Sequence, residues 1–457
     1  MTSRKPPLII PVEEQSREFD AKLLLGCVVA ESGRTAIVGS RREIHIRAAE
    51  LPPGLYFAKS FRPVSRRMFR ILRDLGFEII ACDEEGLLPY PDDLYFERRI
   101  SDETLAMISN FFAWGPENEA LFRRCPGYTG APIHVTGNPR VDLMREDVRG
   151  FFDPEVERLR GRFGEFILLN TNFGTVNHRV PELAWMNLLE ESEGSEFDEF
   201  RTALTRHRLA LFSHFKQLVT VLSRAFPDRN IIVRPHPVES HVPWLEAADD
   251  AENVHVIHEG SVLPWLMASG VLLQNNCTTA IEAYLLGRPA ITYRPIVNES
   301  FDTDLTNALT HHADTSELLC DMIQDVFAGR LDVHDGPDQQ KLIAQYIASL
   351  DGPLACDRIV EALEGPRPVP EARAFGRMNG WAQSQFRRVE KYVRSRIPGD
   401  KNGPGYQEQR FPGVSITEVR ERVTRFGRLL DRFQGVSVTR VSEHIFRLDA
   451  DSRTRPD

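Results

Sequence analysis

Short apolar runs alternate with amphipathic stretches along the first third of the chain, and this alternation predicts an α/β fold. The runs are rich in Val, Ile and Phe, and the stretches between them carry apolar residues at helical spacing. Strands are predicted at 8–13, 35–40, 55–60, 78–83, 110–115 and 132–138. Strands separated by helices are typical of βαβ units that build a mostly parallel sheet.

A charged helical stretch without a strand, 140–164, interrupts this rhythm, which then restarts. Further strands are predicted at 165–172, 230–237, 253–260, 270–276 and 289–295, and a long helix at 182–225. We therefore predict two Rossmann-like domains, 1–150 and 151–365, and a helical, basic tail, 366–457, that packs back on the first domain. Because ligands bind at the carboxyl ends of parallel strands, a cleft between the two sheets is the expected site.

The composition narrows the class of protein. The 457 residues include 56 Lys and Arg against 66 Asp and Glu, a formal net charge of −10, which argues against a general nucleic-acid binder. No window holds 18 unbroken apolar residues and the N-terminus lacks the features of a secretory signal, so a cytoplasmic protein without a spanning helix is expected. The six cysteines form no CxxC pair, which argues against a structural zinc or a disulfide framework.

The tetrapeptide Arg234-Pro235-His236-Pro237 follows a predicted strand of the second domain. A rigid His-Pro turn places an imidazole at the carboxyl edge of the sheet, where it can donate a proton or bind a phosphate. Arg234 beside it would add a fixed positive charge and is predicted to bind the donor phosphate. The alternative is a strand cap with a solvated histidine.

A second candidate segment is the Thr-Thr turn that follows the predicted strand at 270–276. Hydroxyl groups and free backbone N–H groups at the start of a helix can bind an anion. Glu282, one helical turn further on, could reach ribose hydroxyls. The alternative is an ordinary helix N-cap without a ligand. The side chains predicted to bind the donor nucleotide here are Asn276, Thr278, Thr279 and Glu282.

Three acids, Asp83, Glu84 and Glu85, lie at the end of a predicted strand of the first domain and are followed by Gly86. Crowded carboxylates raise one another's pKa, and a raised pKa suits a general base. The alternative is a solvated acidic turn without a catalytic role. Weaker candidates lie at other strand ends. Lys59 and Asn138 are predicted to contact an acceptor or the cleft, and Asn170 and Asn172 to face a donor phosphate.

Several common catalytic signatures are absent from the sequence. There is no GxGxxG, GxxxxGK[ST] or GxSxG motif, which argues against hydride transfer, P-loop hydrolysis and serine hydrolysis. There is also no DxD-like cluster with a histidine placed as a metal ligand. We therefore predict no metal and no cofactor apart from a nucleotide-linked donor.

The two-domain plan and these motifs resemble the GT-B glycosyltransferases, and within them the bacterial sialyltransferases and Kdo transferases. The whole chain, including Phe411-Pro412-Gly413, is similar to the bacterial surface carbohydrate biosynthesis proteins. The resemblance implies a metal-independent transfer of a 2-keto sugar acid from a CMP-sugar to a surface-glycan acceptor, as in lipopolysaccharide or capsule synthesis. It also implies roles for individual residues: Glu84 or Glu85 as base, His236 at the donor phosphate with Pro237 beside it, and Thr278 and Thr279 as phosphate ligands.

Other functions share parts of this pattern. The Arg-x-His-Pro motif also resembles the CDP-glycerol and CDP-ribitol phosphotransferases, which makes a CDP-polyol donor the first alternative. The Gly-Asn-Pro and Glu-Ala-x-x-Leu-Gly-x-Pro elements resemble UDP-GlcNAc 2-epimerases, except that Cys-Thr-Thr stands here in place of their Ser-Gly-Gly. A GT-B-like scaffold or sensor without chemistry is the non-enzymatic alternative.

The basic, aromatic segment 371–410 offers two interpretations. It can meet anionic lipid or a lipid-linked glycan acceptor, which would place the protein peripherally on the inner face of the cytoplasmic membrane. It can equally be a helix that returns to pack on the first domain. Different faces of the same helix can serve both purposes.

Overall fold

The computed structural model describes residues 5–87, 92–180, 184, 196–364, 374–397 and 400–450. They form two compact units, one built from 1–151 and 343–457 and the other from 152–342. Each unit has its own sheet. The structure thus groups 343–364, which the sequence analysis assigned to the second domain, with the first unit. Parts of the predicted helix 182–225 and of the tail 366–457 lie outside the described residues.

The described residues contain fourteen strands, nineteen α-helices and two short 3-10 helices, the latter at Pro63–Ser65 and Arg149–Phe152. The strands are β1 (Leu8–Val12), β2 (Ala36–Ser40), β3 (Leu55–Ala58), β4 (Glu78–Cys82), β5 (Ile108–Ala113), β6 (Ile133–Val135), β7 (Ile167–Asn170), β8 (Ile231–Arg234), β9 (Val254–Val256), β10 (Val271–Gln274), β11 (Ala290–Tyr293), β12 (His311–Ala313), β13 (Val436–Ser442) and β14 (Ile445–Ala450). The helices are α1 (Gln15–Glu31), α2 (Arg41–Ile46), α3 (Arg66–Asp74), α4 (Asp92–Arg99), α5 (Asp102–Leu105), α6 (Pro116–Arg124), α7 (Pro139–Asp142), α8 (Asp153–Phe163), α9 (Glu196–Ala225), α10 (Val242–Ala248), α11 (Val262–Ala268), α12 (Thr279–Leu285), α13 (Asp304–Ala308), α14 (Ser316–Phe327), α15 (Pro337–Tyr346), α16 (Ala355–Ala362), α17 (Ala374–Arg394), α18 (Pro404–Arg410) and α19 (Ile416–Leu430).

The first unit is built on an eight-stranded sheet in the order β13-β14-β2-β1-β3-β4-β5-β6. The strands from β1 to β6 pair in parallel. β1 and β2 are buried along their whole length, because helices cover both faces, and they therefore read as continuous apolar runs. The apolar helix α1 is buried over most of its length, since it packs against β14, α7, α16 and α19.

The end of the chain differs from the sequence prediction. Instead of a wholly helical tail, β13 and β14 form an antiparallel hairpin, and β14 pairs antiparallel with β2. The prediction of helix and loop alone beyond 366 is therefore wrong for 436–450. Ile445, Phe446 and Leu448 are fully buried, so the hairpin closes an edge of the sheet with its own apolar face. The strand signal is weak because charged residues interrupt the alternation.

Replacement of Gly39, which lies where β14 crosses β2, should destabilise the fold. A Cβ at this position would overlap the His444 carbonyl oxygen and lie 2.7 Å from Ile445 Cα, and backbone atoms cannot rotate away. We expect Gly39→Ala to lower the free energy of unfolding by about 1–3 kcal/mol, measured by urea denaturation. Gly161→Ala is the matched control, because nothing lies within 4 Å of that position in α8. It should leave stability unchanged or raise it, and equal losses in both variants would contradict the assignment.

The second unit contains a six-stranded parallel sheet in the order β12-β11-β10-β7-β8-β9. Two tryptophans, Trp244 and Trp265, are 0% and 2% exposed in its core. The short strand β12 was not predicted, because its three residues include two histidines. The remaining strands of this sheet lie within the predicted segments, since each is a short apolar run bounded by polar turn residues.

Candidate functional site

The first unit carries charged side chains where its central strands end. Glu13 follows β1, Lys59 follows β3, and Asp83 and Glu84 follow β4. β1 lies between β2 and β3, so the direction in which the chain adds strands reverses at this point. In open parallel sheets, ligands bind at such a switch point, outside the carboxyl ends of the strands. The charged residues therefore occupy the edge where a ligand is expected.

These side chains form an ion cluster with two residues of α1. Lys59 Nζ lies 2.7 Å from Glu18 Oε1 and 2.9 Å from Glu13 Oε2. Lys22 Nζ lies 2.7 Å from Glu84 Oε1 and 2.8 Å from Glu18 Oε2. The side chains of Glu18 and Lys22 are 4% exposed, whereas that of Glu84 is 16% exposed. Solvent therefore still reaches Glu84.

The cluster separates the pKa values of its three carboxyl groups. Burial and the Glu18 charge raise the pKa of Glu84, although Lys22 and Lys59 oppose the shift. Burial also acts to raise the pKa of Glu18, but the two lysines hold it well below its usual range. Nearby cations likewise outweigh burial at Glu13 and lower its pKa to about 2. Among these three, Glu84 binds a proton most readily, which suits a general base.

The three acids predicted as bases have different surroundings. Asp83 is 1% exposed, accepts a hydrogen bond from Tyr95 Oη at 2.6 Å and pairs with Arg99 at 2.7 Å, so it anchors α4. Glu85 is half exposed and pairs with Arg99 at 2.6 Å. Burial acts to raise the pKa of Glu85, but Arg99 outweighs burial and lowers it. Of the three acids, Glu84 is the one that joins the cluster.

A small pocket opens beside this cluster. Glu84, Glu18 and Lys22 line it together with Asn138, which caps the N-terminus of α7 through its side-chain oxygen. The sequence analysis predicted Asn138 and Lys59 as acceptor or cleft contacts. Asn138 lies in the pocket wall, whereas Lys59 is engaged in ion pairs within the cluster.

The second sheet brings three predicted segments together at its own switch point. Along the chain β7 is its first strand, with β8 and β9 on one side and β10, β11 and β12 on the other. Asn170 ends β7, Arg234 ends β8 and Gln274 ends β10. The loop after β7, the His-Pro turn and the Thr-Thr turn therefore start from three adjacent strands. This edge is where such a sheet binds its ligand.

His236 and Pro237 lie in the turn after β8, next to the loop after β7. The Val238 N–H donates to His236 Nδ1 at 3.4 Å, so the neutral ring carries its proton on Nε2. Gly174 of the neighbouring loop approaches the turn closely. A Cβ at Gly174 would overlap Val238 and lie 3.9 Å from His236 Nδ1. The two segments therefore pack without room for a side chain at 174.

A buried carboxylate, Glu239, ties these two segments together. Its Oε1 accepts hydrogen bonds from the Thr171 hydroxyl at 2.8 Å and the Phe173 N–H at 2.9 Å. The same oxygen accepts from the His236 N–H at 3.1 Å, and Oε2 accepts from Trp244 Nε1 at 3.1 Å. Glu239 is 2% exposed, and burial raises its pKa against the opposing effect of these bonds. The sequence analysis missed this residue, although an acid three positions after the histidine was a usable signal.

The Thr-Thr turn begins at Asn276, whose φ of 45° lies in the left-handed region that Asn tolerates. Its side chain is fixed by Asp302 Oδ1 at 3.2 Å and by the Thr303 N–H at 3.0 Å. Thr278 is the N-cap residue of α12, without a side-chain capping bond. Thr279 Oγ1 is buried and has no hydrogen-bond partner in the described part of the chain.

The loop after β7 contacts this turn. Asn172 Nδ2 donates to the Asn276 carbonyl at 3.3 Å. Asn170 is 4% exposed, and its Oδ1 is buried without a partner among the described residues. Glu282 is 5% exposed and lies in the first turn of α12. The structure therefore places the predicted donor-side residues at the ends of three adjacent strands and in the turns and the helix that follow them.

The guanidinium group of Arg234 is hydrogen-bonded to backbone carbonyls of the protein. Its guanidinium donates to the carbonyls of Glu259 at 3.0 Å and Gly260 at 2.6 Å, and it lies 5.6 Å from the centre of the Trp265 ring. Burial lowers the pKa of Arg234 to about 10, against the opposing charges of Glu259 and Glu282. The sequence analysis assigned this residue to the donor phosphate, whereas here it fixes the segment after β9.

Among the residues that the structure describes, no group of three or more His, Cys, Asp and Glu side chains could hold a metal ion. The six cysteines are free thiols, and all except Cys320 are buried. Over the same residues, no helix combines the length and the apolar character needed to cross a bilayer.

No family model and no curated protein matches the sequence. Solved structures match it in fold. The wall teichoic acid polymerase TagF, in a variant form, is 10% identical over 78% of this chain and 88% of that chain, with a TM-score of 0.50. The UDP-GlcNAc 2-epimerase of Methanocaldococcus jannaschii is 14% identical over 78% of this chain and 99% of its own, with a TM-score of 0.49.

The fold is of the GT-B type. One mostly parallel and one parallel sheet, both flanked by helices, with further helices towards the C-terminus, confirm the predicted fold class. The finer resemblance to sialyltransferases and Kdo transferases stays a prediction.

Proposed function

We propose that the chain is a metal-independent glycosyltransferase that moves a 2-keto sugar acid from a CMP-linked donor to a surface-glycan acceptor. The observation that carries this proposal is the switch point of the second sheet. Two buried polar atoms there, Asn170 Oδ1 and Thr279 Oγ1, have no partner among the described residues. Each such atom costs about 1–3 kcal/mol, and a bound ligand or water can remove that cost.

The charge at this switch point favours a donor with a single phosphate. Arg234 is bound to protein carbonyls, and Glu282 adds a negative charge to the same strand ends. The predicted donor-side residues Asn170, Thr279 and His236 offer neutral groups there: an amide, a hydroxyl and an imidazole. Neutral hydrogen-bonding groups stabilise the one negative charge on the phosphate of a CMP-sugar at lower cost than the two charges on a diphosphate.

Transfer would proceed by displacement at the anomeric carbon. The acceptor hydroxyl attacks this carbon, the bond from the carbon to the cytidylate oxygen breaks, and CMP leaves with the electron pair. His236 and the Thr279 hydroxyl would stabilise the charge that develops on the phosphate. Glu84 would take the acceptor proton, and its raised pKa supports this assignment over Glu85.

A CDP-polyol donor is the alternative that the fold itself favours. TagF, which shares the GT-B fold with this chain, is a wall teichoic acid polymerase. A diphosphate-linked donor would then occupy the same switch point, and the nucleotide preference separates the two possibilities.

Calorimetric titration with CMP, CDP, UMP and UDP, without added metal, tests the proposal. We expect CMP to bind preferentially and its affinity to fall at least tenfold in His236→Ala and in Thr279→Val. Loss of the Thr279 hydroxyl should not reduce stability, because Oγ1 has no hydrogen-bond partner among the described residues. His255→Ala is the matched control, since this histidine bonds to Asn230, which precedes β8 at the opposite edge of the sheet.

Each nucleotide outcome has a separate meaning. Preference for CDP would replace the sugar transferase by the polyol phosphotransferase. Preference for UDP would contradict both cytidine donors and favour an epimerase. Absence of binding to all four nucleotides would leave the scaffold interpretation.

We further propose that the acceptor is a glycan or a lipid-linked glycan and that the protein works peripherally on the inner face of the cytoplasmic membrane. The basic segment 371–410 supports this location, and α17 supplies most of its described part.

A further inference from the structure

The helix α17 exposes its large apolar side chains. The large apolar residues of α17 and the turn after it are 51–79% exposed. They are Phe375, Met378, Trp381, Phe386, Val389, Tyr392, Val393 and Ile397. At 100° per residue they fall on one side of the helix, which in an ordinary surface helix would face the core.

The opposite side of α17 packs on α2 and α3 through small and polar residues. Ser384 is 1% exposed, and a Cβ at Gly380 would lie 2.8 Å from Asp74 Cβ. At the border of the apolar side, Asn379 Nδ2 donates to Asp74 Oδ2 at 2.8 Å, and Glu390 pairs with Arg67 of α3 at 2.7 Å. The small residues let α17 approach α3 closely, and the polar contacts fix its rotation. The apolar side therefore faces outward as a consequence of the packing.

The same surface is positively charged although the chain has a formal net charge of −10. Between 374 and 397 there are six basic residues and one acid, Glu390. Arg387 and Lys391 are half-buried, and of the exposed residues Arg388 pairs with Glu50 and Arg394 with Asp400. The adjoining helix α3 and the turn before it present five further exposed arginines, of which Arg66 and Arg70 pair with Glu103 and Arg67 pairs with Glu390. The other two arginines are Arg62 and Arg73. Large apolar residues that are exposed together on one side of a helix mark an interaction surface, and the basic surroundings favour a negatively charged partner.

We propose that α17 and α3 form a surface that docks on anionic lipid, with the apolar side of α17 lying among the acyl chains near the head groups. Aromatic residues on one side and arginines at the edges are the composition of interfacial helices. Each arginine near a negatively charged membrane adds attraction. A second copy of the chain is the less suitable partner, because two positively charged surfaces would repel each other. This inference deepens the membrane location proposed above and rests on it, but it does not depend on the proposed donor.

Vesicle sedimentation with the full chain tests the docking surface. The vesicles contain either phosphatidylcholine alone or phosphatidylcholine mixed with phosphatidylglycerol. We expect binding to the mixed vesicles and at least tenfold weaker binding to phosphatidylcholine. Trp381 is 57% exposed, so its fluorescence should shift to shorter wavelength on binding, and Trp381→Phe should remove that shift while binding persists.

Two sets of variants separate the apolar and charged contributions. Phe386→Asp with Val389→Asp should weaken binding to the mixed vesicles at least tenfold. Arg377→Glu with Arg388→Glu should do the same and should also reduce the dependence of binding on salt. Leu245→Asp is the control, because Leu245 is also 57% exposed but lies on α10 of the second unit.

Three results would overturn the proposal. The first is no binding of the unaltered chain to the mixed vesicles. The second is binding that the α17 variants leave unchanged. The third is a self-associated chain that becomes monomeric in Phe386→Asp with Val389→Asp, seen by sedimentation velocity, without any vesicle binding; this would assign the surface to a second copy. Loss of nucleotide binding alone would not affect this test, which therefore stays separate from the test of the proposed transfer reaction.

Discussion

Glu84→Gln should lower the rate of sugar transfer by about 10²–10⁴-fold, the usual contribution of a general base. Glutamine keeps the size and the hydrogen-bonding oxygen of the side chain but cannot accept the acceptor proton. The rate is measured as nucleotide release from the donor that the calorimetric screen identifies. Donor affinity should change little, because the donor-side residues belong to the other unit.

The loss should appear without unfolding. Lys22 keeps its ion pair with Glu18 at 2.8 Å and its hydrogen bond to the Pro11 carbonyl at 2.7 Å when Glu84 loses its charge. Removal of that charge also relieves the repulsion from Glu18 that raises the pKa of Glu84. We therefore expect the free energy of unfolding to change by less than about 1 kcal/mol.

The pH profile gives a further signature. A general base acts in its deprotonated form, so the rate rises as pH increases through its pKa. Because the pKa of Glu84 is raised above 4.5, this acidic limb should lie above that of an ordinary glutamate, and it should disappear in Glu84→Gln.

Glu85→Gln is the matched control. Its carboxylate is half exposed and pairs with Arg99 at the surface, and such pairs contribute about 0–1 kcal/mol to stability. Its activity should stay within about twofold of the unaltered chain. A large loss in Glu85→Gln together with normal activity in Glu84→Gln would assign the base to Glu85 and contradict the cluster argument.

The parallel strands of both sheets could be predicted, because strands that are buried on both faces have short, continuous apolar sequences. β1, β4, β7 and β10 all lie within the predicted segments for this reason. The hairpin at 436–450 could not be predicted with the same rule, because one side of each strand is polar and charged residues break the pattern. Its partner β2 is about 400 residues away in the chain, so no local signal indicates the pairing.

The sequence predicted which residues lie at the candidate site, but not their ionisation or their hydrogen-bond partners. The three acids at 83–85 could not be ranked, because Lys22 and Glu18 reach Glu84 from α1, far away in the chain. The sequence predicted that Arg234 binds a phosphate. In the structure its buried guanidinium donates instead to the carbonyls of Glu259 and Gly260, in the segment after β9. Burial and distant contacts, which decide pKa and hydrogen bonding, are set by the tertiary structure.

Glu239→Ala should be the most damaging single change in the second unit, with a loss of about 3–5 kcal/mol in the free energy of unfolding. Removal of the carboxylate leaves the Trp244 indole N–H and the Thr171 hydroxyl without their acceptor. The backbone N–H groups of Phe173 and His236 lose the same acceptor, and each unsatisfied buried group carries its own desolvation cost. Denaturation in urea gives the magnitude.

The same change should also weaken CMP binding, because Glu239 holds the loop after β7 against the His-Pro turn. Glu239→Gln should be intermediate, since its one remaining oxygen can still accept from Thr171 and from the Phe173 N–H, while its amide faces the Trp244 N–H. Glu246→Ala, on the exposed side of α10, is the control and should shift stability by less than about 0.5 kcal/mol. If Glu239→Ala matched this control in stability and in CMP affinity, the carboxylate would not be the element that positions His236, and the two segments would have to be held by the close approach at Gly174 alone.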